Sequence, residues 1–304
     1  MTRPILLFHR DYRAFQGGHQ KVADYIAHTQ ASAHFTPRLY LAPHSLSDHP
    51  FALECLTALW QPQRADALFV AGMDWDALPQ GLEARVPVIN LIQHVRHGRA
   101  GDPRHAFLSR RALRICVSDA VAQAIEDSGR VNGPVMTIPA GIDLRACAPA
   151  PKRVAVVIAG VKAPDLAQSV AALLAREGVE ADCLTRALPR DVYLARVAAA
   201  RVAITLPDPA EGFYLPAVEA MAARCALVCP DALGNRGFCR DGETCLMPPA
   251  AADDLAAAAL RLLRDHALAE RLIANAEGEA RRHGLMAERA AFQAVLQDMV
   301  RAAA

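Results

Sequence analysis

Short apolar runs rich in β-branched residues recur along the chain, each closed by a polar, glycine or proline break. In the first half they are PILLFH (4–9), RLYLA (38–42), ALFVAG (67–72), PVINLIQ (87–93), LRICVS (113–118) and PVMTIPA (134–140). Such runs are nearly unbroken in their apolarity, as strands buried on both faces are. Helical spacing lies between several of them, most clearly in DAVAQAIEDSG, where Ser118 or Asp119 can cap the start and Gly129 the end. After the proline-rich stretch ACAPAPKR (146–153) the pattern begins again. It gives VAVVIAG (154–160), a helix near 165–176, ADCLTRA (181–187), a helix near 190–199, RVAITL (201–206), a further helix and ALVCPD (226–231), and is almost wholly helical from Ala251 onward. Strands alternating with helices predict parallel sheets with helices on both faces. The fold expected is α/β, with two Rossmann-like, doubly wound domains, 1–148 and 149–285, facing each other across a cleft. A final helical segment, 286–304, is long enough to cross back onto the first domain.

Composition narrows the function. A length of 304 residues suits two ordinary domains with their own cores, and a net charge of +1 gives no global sign of a nucleic-acid partner. No apolar run reaches membrane-spanning length, and the start, MTRPILLFHRDYR, becomes charged too soon for a secretory signal. A cytoplasmic location is therefore expected. Eight cysteines agree with that compartment: Cys55, Cys116, Cys147 and Cys183 fall in apolar segments and read as small buried hydrophobes. Cys225, Cys229, Cys239 and Cys245 lie closer together, but their spacing is not that of a zinc ribbon and core thiols are the better reading.

The stretch with the most chemistry is EGFYLPAVEAMA (211–222). It follows the apolar run 201–206 and the prolines 207 and 209, so Glu211 is expected in a strand-to-helix loop. Pro216 suits the first helical position, which puts Glu219 about one turn into the helix. Both acids can then border the crevice at the carboxyl end of a parallel strand, where open α/β sheets bind ligands. The N–H groups near Leu215 to Ala217 would face the same space and favour an anion. A plainer reading is that an acid in a first helical turn is stabilised by the macrodipole whatever the protein does.

EGFYLPAVEAMA, followed by CALVCPDALGN, DGETCLMPP and AADDLAAAALRLLRD, resembles the C-terminal half of the retaining glycosyltransferases of family four, which have the GT-B architecture. The GGHQKV loop and VSDAVAQAI with IPAGID resemble that family's N-terminal half. The resemblance implies that Glu219 accepts from the ribose hydroxyls of a nucleotide-sugar donor and Glu211 from hydroxyls of the transferred sugar. It implies that Gly212, Phe213, Tyr214 and Leu215 offer backbone N–H groups to sugar and diphosphate. Carboxylates suit this because each accepts from vicinal hydroxyls through charge-assisted bonds. It further implies an arginine and a lysine after the first strand of the C-terminal domain, opposite the charge that develops on the leaving diphosphate. Lys162 takes the lysine role; the arginine position is Val161. Two more departures alter the lining: Ala140 replaces an asparagine in AGID, and Gly237 stands where an acid is often found.

In the first half, Gly17 and Gly18 open a helix after the first strand and can approach an anion or acceptor, although a plain turn explains them nearly as well. Tyr12, Arg13 and Lys21 are candidates to line the same mouth. His94 closes the run 87–93, a strand's carboxyl end, and is a candidate contact for the acceptor. The basic run QHVRHGRAGDPRHAFLSRRALR (93–114) carries a single acid, Asp102. It suits an acceptor side, an anionic glycan, a lipid phosphate or a membrane surface, with peripheral contact through 94–114, or else is an ordinary solvated loop. The function expected is transfer of a sugar from a nucleoside diphosphate to a saccharide or lipid-linked acceptor in surface polysaccharide synthesis, with no cofactor and no divalent ion. The alternatives are a catalytically weak nucleotide-sugar-binding protein of the same fold and a nucleotide-sugar epimerase. A nicotinamide-dependent oxidoreductase is disfavoured, since no glycine triplet has the dinucleotide spacing.

Overall fold

A computed structural model describes residues 3–14 and 17–303 of the chain. They form two compact units, Met1–Ala140 with Met286–Ala304, and Gly141–Leu285. The first holds a six-stranded parallel sheet in the order β2-β1-β3-β4-β5-β6. Its strands are β1 (Ile5–Arg10), β2 (Thr36–Leu41), β3 (Ala67–Ala71), β4 (Val88–Ile92), β5 (Leu113–Cys116) and β6 (Val135–Thr137). The second holds β7 (Val154–Ala159), β8 (Ala181–Leu184), β9 (Ala200–Thr205) and β10 (Ala226–Val228), parallel in the order β10-β9-β7-β8. Every strand lies within or beside the apolar run that predicts it. The reason is visible in β3 and β4, where all five residues of each are buried, so that only a site covered on both faces satisfies them.

The crossovers depart from expectation in the first unit. Helix α1 (Gly17–Gln30) follows β1, and α2 (Asp119–Glu126) follows β5, with the Ser118 hydroxyl accepting from Val121 N–H at 3.3 Å. The connections after β2, β3 and β4 are short 3₁₀ turns instead of α-helices. Proline and glycine break their sequences: Pro62 opens one turn, and Gly72 and Gly81 take left-handed φ angles of 61° and 79° in the next connection. The second unit is more regular, with α3 (Pro164–Arg176), α4 (Arg190–Ala198), α5 (Leu215–Ala222), α6 (Ala252–Arg264) and α7 (His266–Arg282). Gly160, just after β7, permits a close approach: a Cβ there would lie 2.2 Å from that of Ala167, so α3 packs hard against the strand end.

The last helix, α8 (Leu285–Ala303), packs on α1 and β3 of the first unit, with Phe292 edge-on to Tyr25 at 4.7 Å. The proline-rich stretch 146–153 lies inside the second unit and does not separate the two. Lys152 explains why: its ammonium donates to the Ala198 and Ala223 carbonyls at 3.0 and 2.8 Å, tying the segment to the ends of α4 and α5. All eight cysteines are free thiols and all but Cys183 are buried, Cys225 donating to the Val197 carbonyl at 3.1 Å.

Two buried histidines make the first unit acid-sensitive. Burial, aided by the nearby Arg104 guanidinium, lowers the His97 pKa to about 3; burial and Arg10 lower that of His19 to about 4. Both values lie below the unfolded value of about 6.5. The unfolded chain therefore takes up these protons first, and stability is full above pH 6.5 and falls as pH drops. The expected slope is about 1.4 kcal/mol per pH unit for each histidine. Urea midpoints measured from pH 7 to pH 5 should decline accordingly, with a shallower decline in His97→Gln; a flat profile would contradict the assignment.

Candidate functional site

Strand order decides where a ligand can bind in each unit. In a doubly wound sheet the crevice opens at the carboxyl ends of the two strands between which the winding reverses. In the second unit these are β7 and β9, which pair in register from Val154↔Ala200 to Ala159↔Thr205. Lys162 follows β7 and Glu211 follows β9, and the Lys162 ammonium is ion-paired with Glu211 Oε1. The ammonium also lies 5.7 Å from the centre of the Tyr214 ring. Burial lowers the Lys162 pKa, with Asp208 opposing that shift.

The loop carrying Glu211 is held rigidly. Gly212 and Tyr214 are buried, and the Phe213 ring packs on Phe238 at 5.1 Å and on His283 at 5.3 Å. A second loop, after β10, lies directly against it: Tyr214 N–H donates to the Gly234 carbonyl at 3.0 Å, and Leu233 N–H to that of Pro209 at 3.1 Å. A Cβ on Gly234 would stand 2.7 Å from Phe213 N and 2.8 Å from Glu211 O and Gly212 C. Asn235, wholly buried, fixes that second loop by donating to the Pro230 carbonyl at 2.8 Å and accepting from Ala232 N–H at 3.1 Å. Two expectations are revised here. The Tyr214 N–H is already engaged by Gly234 and is not on offer to a ligand. Leu215 is the first residue of α5, with Pro216 second.

Glu219 lies on α5 with its side chain wholly covered. One oxygen, Oε1, is ion-paired with the guanidinium of Arg190, the first residue of α4; the other, Oε2, has no hydrogen-bond partner. The Tyr193 hydroxyl nearby is also buried without a partner, and burial and the Glu219 charge both raise its pKa well above the ordinary range. Burial raises the Tyr214 pKa well above the ordinary range, and the charges of Cys229, Tyr193 and Glu219 add to that shift. Arg190 and Gly234 were not singled out in the sequence. Val161, at the position expected for an arginine, is half exposed and apolar.

In the first unit the reversal lies between β1 and β3, and charged side chains fill it. Asp74 accepts from Arg10 at 2.7 Å and from Ala71 N–H at 2.9 Å, with His9 Nδ1 at 3.1 Å, while Arg10 also contacts His19 Nδ1 at 2.9 Å. The expectation of no divalent ion rests on the absence of an acid-any-acid motif, and Asp74-Trp75-Asp76 corrects that ground, although Asp74 is engaged in this ion-paired cluster. Gly17 and Gly18 open α1, and the Gly18 carbonyl accepts from the Gln93 amide at 3.3 Å, which brings the turn beside the end of β4. His94 follows directly, its Nδ1 accepting from Arg96 N–H at 3.1 Å.

The remaining candidates of this unit are structural. Tyr12 is 1% exposed and stacks edge-on with His19, because its ring completes the core beneath the loop. Arg13 is exposed and paired with Asp11. Lys21 is buried, its ammonium 2.7 Å from Glu288 of α8 and 2.8 Å from Asp24, so it joins two helices and does not line a mouth. Residues 15 and 16 of the same loop lie outside those described. Three arginines of the basic run are likewise engaged within the fold. Arg114 is wholly buried and donates to Asn90 at 2.7 Å; Arg110 pairs with Glu83 at 2.6 Å and stacks 4.7 Å over Trp75; Arg104 pairs with Asp102 at 2.6 Å.

The sequence of most of the second unit matches a known family. Residues 142–265 match the family model of the glycosyl transferases group 1. No curated protein matches the chain in sequence. Solved structures match it in fold. Sucrose-phosphate synthase from Thermosynechococcus elongatus covers 99% of this chain and 100% of its own, at 14% identity and a TM-score of 0.72. HepE from Anabaena, in a complex with UDP and glucose, covers 97% of this chain and 100% of its own, at 16% identity and a TM-score of 0.73. A glycosyltransferase from Rickettsia africae covers 99% of both chains at 12% identity, with a TM-score of 0.68. The chain therefore shares the fold of these GT-B proteins.

Proposed function

We propose that the protein is a retaining glycosyltransferase that moves a sugar from a nucleoside diphosphate to a saccharide or lipid-linked acceptor, without a divalent ion. The observation that carries this reading is the Lys162–Glu211 ion pair beside the Tyr214 ring at the β7/β9 reversal, with the covered carboxylate of Glu219 on the helix that Tyr214 precedes. Those groups match the chemistry of such a donor. Glu219 accepts from the ribose hydroxyls, Glu211 holds hydroxyls of the sugar, and the N–H groups of Phe213 and Leu215, with Lys162, face the diphosphate. As the bond to the leaving phosphate lengthens, negative charge grows on phosphate oxygen, and fixed N–H and ammonium donors favour that charge over the ground state. The Lys162–Glu211 pair keeps both charges close to where they act.

On this reading His94 is the candidate acceptor contact and the Gly17 and Gly18 turn a candidate anion contact. Sugar transfer with retention then proceeds on one face, the leaving phosphate itself accepting the proton of the acceptor hydroxyl. Surface polysaccharide is the acceptor class we favour, at the cytoplasmic face of the membrane. No described helix is long and apolar enough to cross a bilayer. Peripheral contact through 94–114 would use Arg96, Arg99 and Arg111, which are exposed.

The test is incubation with UDP-, GDP-, dTDP- and ADP-sugars, with and without oligosaccharide acceptors, followed by product analysis with proton NMR. Release of nucleoside diphosphate with an unchanged anomeric configuration in the product is the expected result. A donor converted without any acceptor would indicate an epimerase, and binding without turnover a binding protein. Either outcome ends the transferase reading.

A further inference from the structure

The buried acid of the site is paired with one part-exposed side chain. Glu219 is wholly covered, whereas the Arg190 side chain paired with it is 38% exposed, so the arginine is the surface this pair presents to solvent. Behind it lie two buried polar atoms without partners, Glu219 Oε2 and the Tyr193 hydroxyl. Buried polar atoms are almost always hydrogen-bonded, and two exceptions behind one part-exposed side chain leave room for a ligand's hydroxyls. One oxygen acceptor and one hydroxyl that can donate or accept suit a vicinal diol. To reach them, that diol has to move the guanidinium aside.

Where the guanidinium then goes follows from charge. A nucleoside diphosphate brings several negative charges, and the loop after β7 meets them with Lys162 alone, since Val161 is apolar and Lys162 is already paired with Glu211. A ribose whose hydroxyls lie on Glu219 carries its first phosphate one sugar ring away, within the sweep of an arginine side chain that starts on the same carboxylate. Guanidinium is also the group best matched to phosphate, with planar, paired N–H donors. Resting on the donor reading above, we propose that Arg190 is a phosphate-contacting residue of this site. Its guanidinium exchanges the Glu219 carboxylate for the donor diphosphate, freeing Glu219 for the ribose and supplying the cation that Val161 lacks. No bond is made or broken in the exchange; one ion pair replaces another. A nucleoside without phosphate would separate the Arg190–Glu219 pair and return nothing to the arginine, so the exchange selects for phosphorylated ligands.

The experiment compares affinities, by calorimetric titration, for the nucleoside diphosphate among UDP, GDP, dTDP and ADP that binds the wild-type protein and for its matching nucleoside. Four variants are needed: R190A, R190K, E219Q and the double variant R190A/E219Q, in which neither charge is left buried alone. Circular dichroism melts establish that each is folded. The ratio of diphosphate to nucleoside affinity is expected to fall about tenfold or more whenever Arg190 is removed, in the E219Q background as in the wild type, and to recover in part in R190K. An unchanged ratio in both backgrounds would make Arg190 a counter-ion only and overturn the proposal while leaving the donor reading intact. Should the wild-type protein bind none of the four diphosphates, the donor reading itself fails and takes this inference with it.

Discussion

Glu219→Ala is expected to lower affinity for the nucleoside diphosphate by about 100-fold, since two charge-assisted hydrogen bonds to a ribose together contribute roughly 3 kcal/mol. Glu219 is buried beside Tyr193 and Tyr214, one oxygen is paired with Arg190 and the other has no partner, so the carboxylate is poised to accept and little else in the core needs it. Removing it leaves Arg190, whose side chain is already part-exposed and can rehydrate, so the fold should survive the change. Titration calorimetry on the variant, with a thermal melt as the control for folding, reads the two effects separately. Affinity within threefold of wild type would contradict the role given to Glu219.

The second large effect is expected at Gly234→Ala. The added methyl group would meet Phe213 N, Glu211 O and Gly212 C, all backbone atoms, at 2.7–2.8 Å. None is the far end of a flexible side chain, so the two loops have to part, and the 3.0 Å bond from Tyr214 N–H to the Gly234 carbonyl is strained or lost. Overpacking of this kind costs about 1–3 kcal/mol in stability. Displacing the loop that carries Glu211 by about an ångström should lower the transfer rate about 100-fold. Gly237→Ala, three residues along the same loop, is the matched control: it is exposed, nothing lies within 4 Å of its added carbon, and rate and melting temperature should both stay near wild type. Equal behaviour of the two variants would remove Gly234 from the account.

Much of this architecture was legible because burial leaves a plain mark on composition. A five-residue stretch such as β4, with Val88, Ile89, Leu91 and Ile92 around a single amide, is stable only where both faces are covered. Glu211 and Glu219 were legible because a proline, a glycine and two acids share one strand-to-helix turn. What stayed hidden depends on partners far along the chain. Lys21 reads locally as a mouth residue, but its ammonium lies 2.7 Å from Glu288 of α8, a separation in sequence that no local pattern reports. The prolines of 146–153 suggested a break, but Lys152 anchors the segment to two helix ends. The Tyr214 N–H was assigned to a ligand because the loop that engages it, around Gly234, comes twenty residues later. Arg190 carried no signal of its own in a chain where arginine is common; only the folded position of Glu219 gives it a role.

The basic run 93–114 shows the same limit from the other side. Charge counted along the sequence suggested a surface for an anion, yet Arg104, Arg110 and Arg114 are engaged by Asp102, Glu83, Asn90 and nearby carbonyls. The stacking of Arg110 and Arg114 on Trp75 turns a charged segment into a brace for the loop after β3. Formal charge is thus a poor guide to recognition until its partners are counted.

The central claim is that the second unit holds a nucleoside diphosphate with its ribose on Glu219. A crystal structure of the protein grown with the diphosphate that raises its melting temperature most tests this directly. The account predicts ribose hydroxyls within hydrogen-bond distance of the Glu219 carboxylate and the diphosphate beside Lys162 at the carboxyl ends of β7 and β9. A nucleotide bound elsewhere, with Glu219 still sealed beneath Arg190, would contradict it.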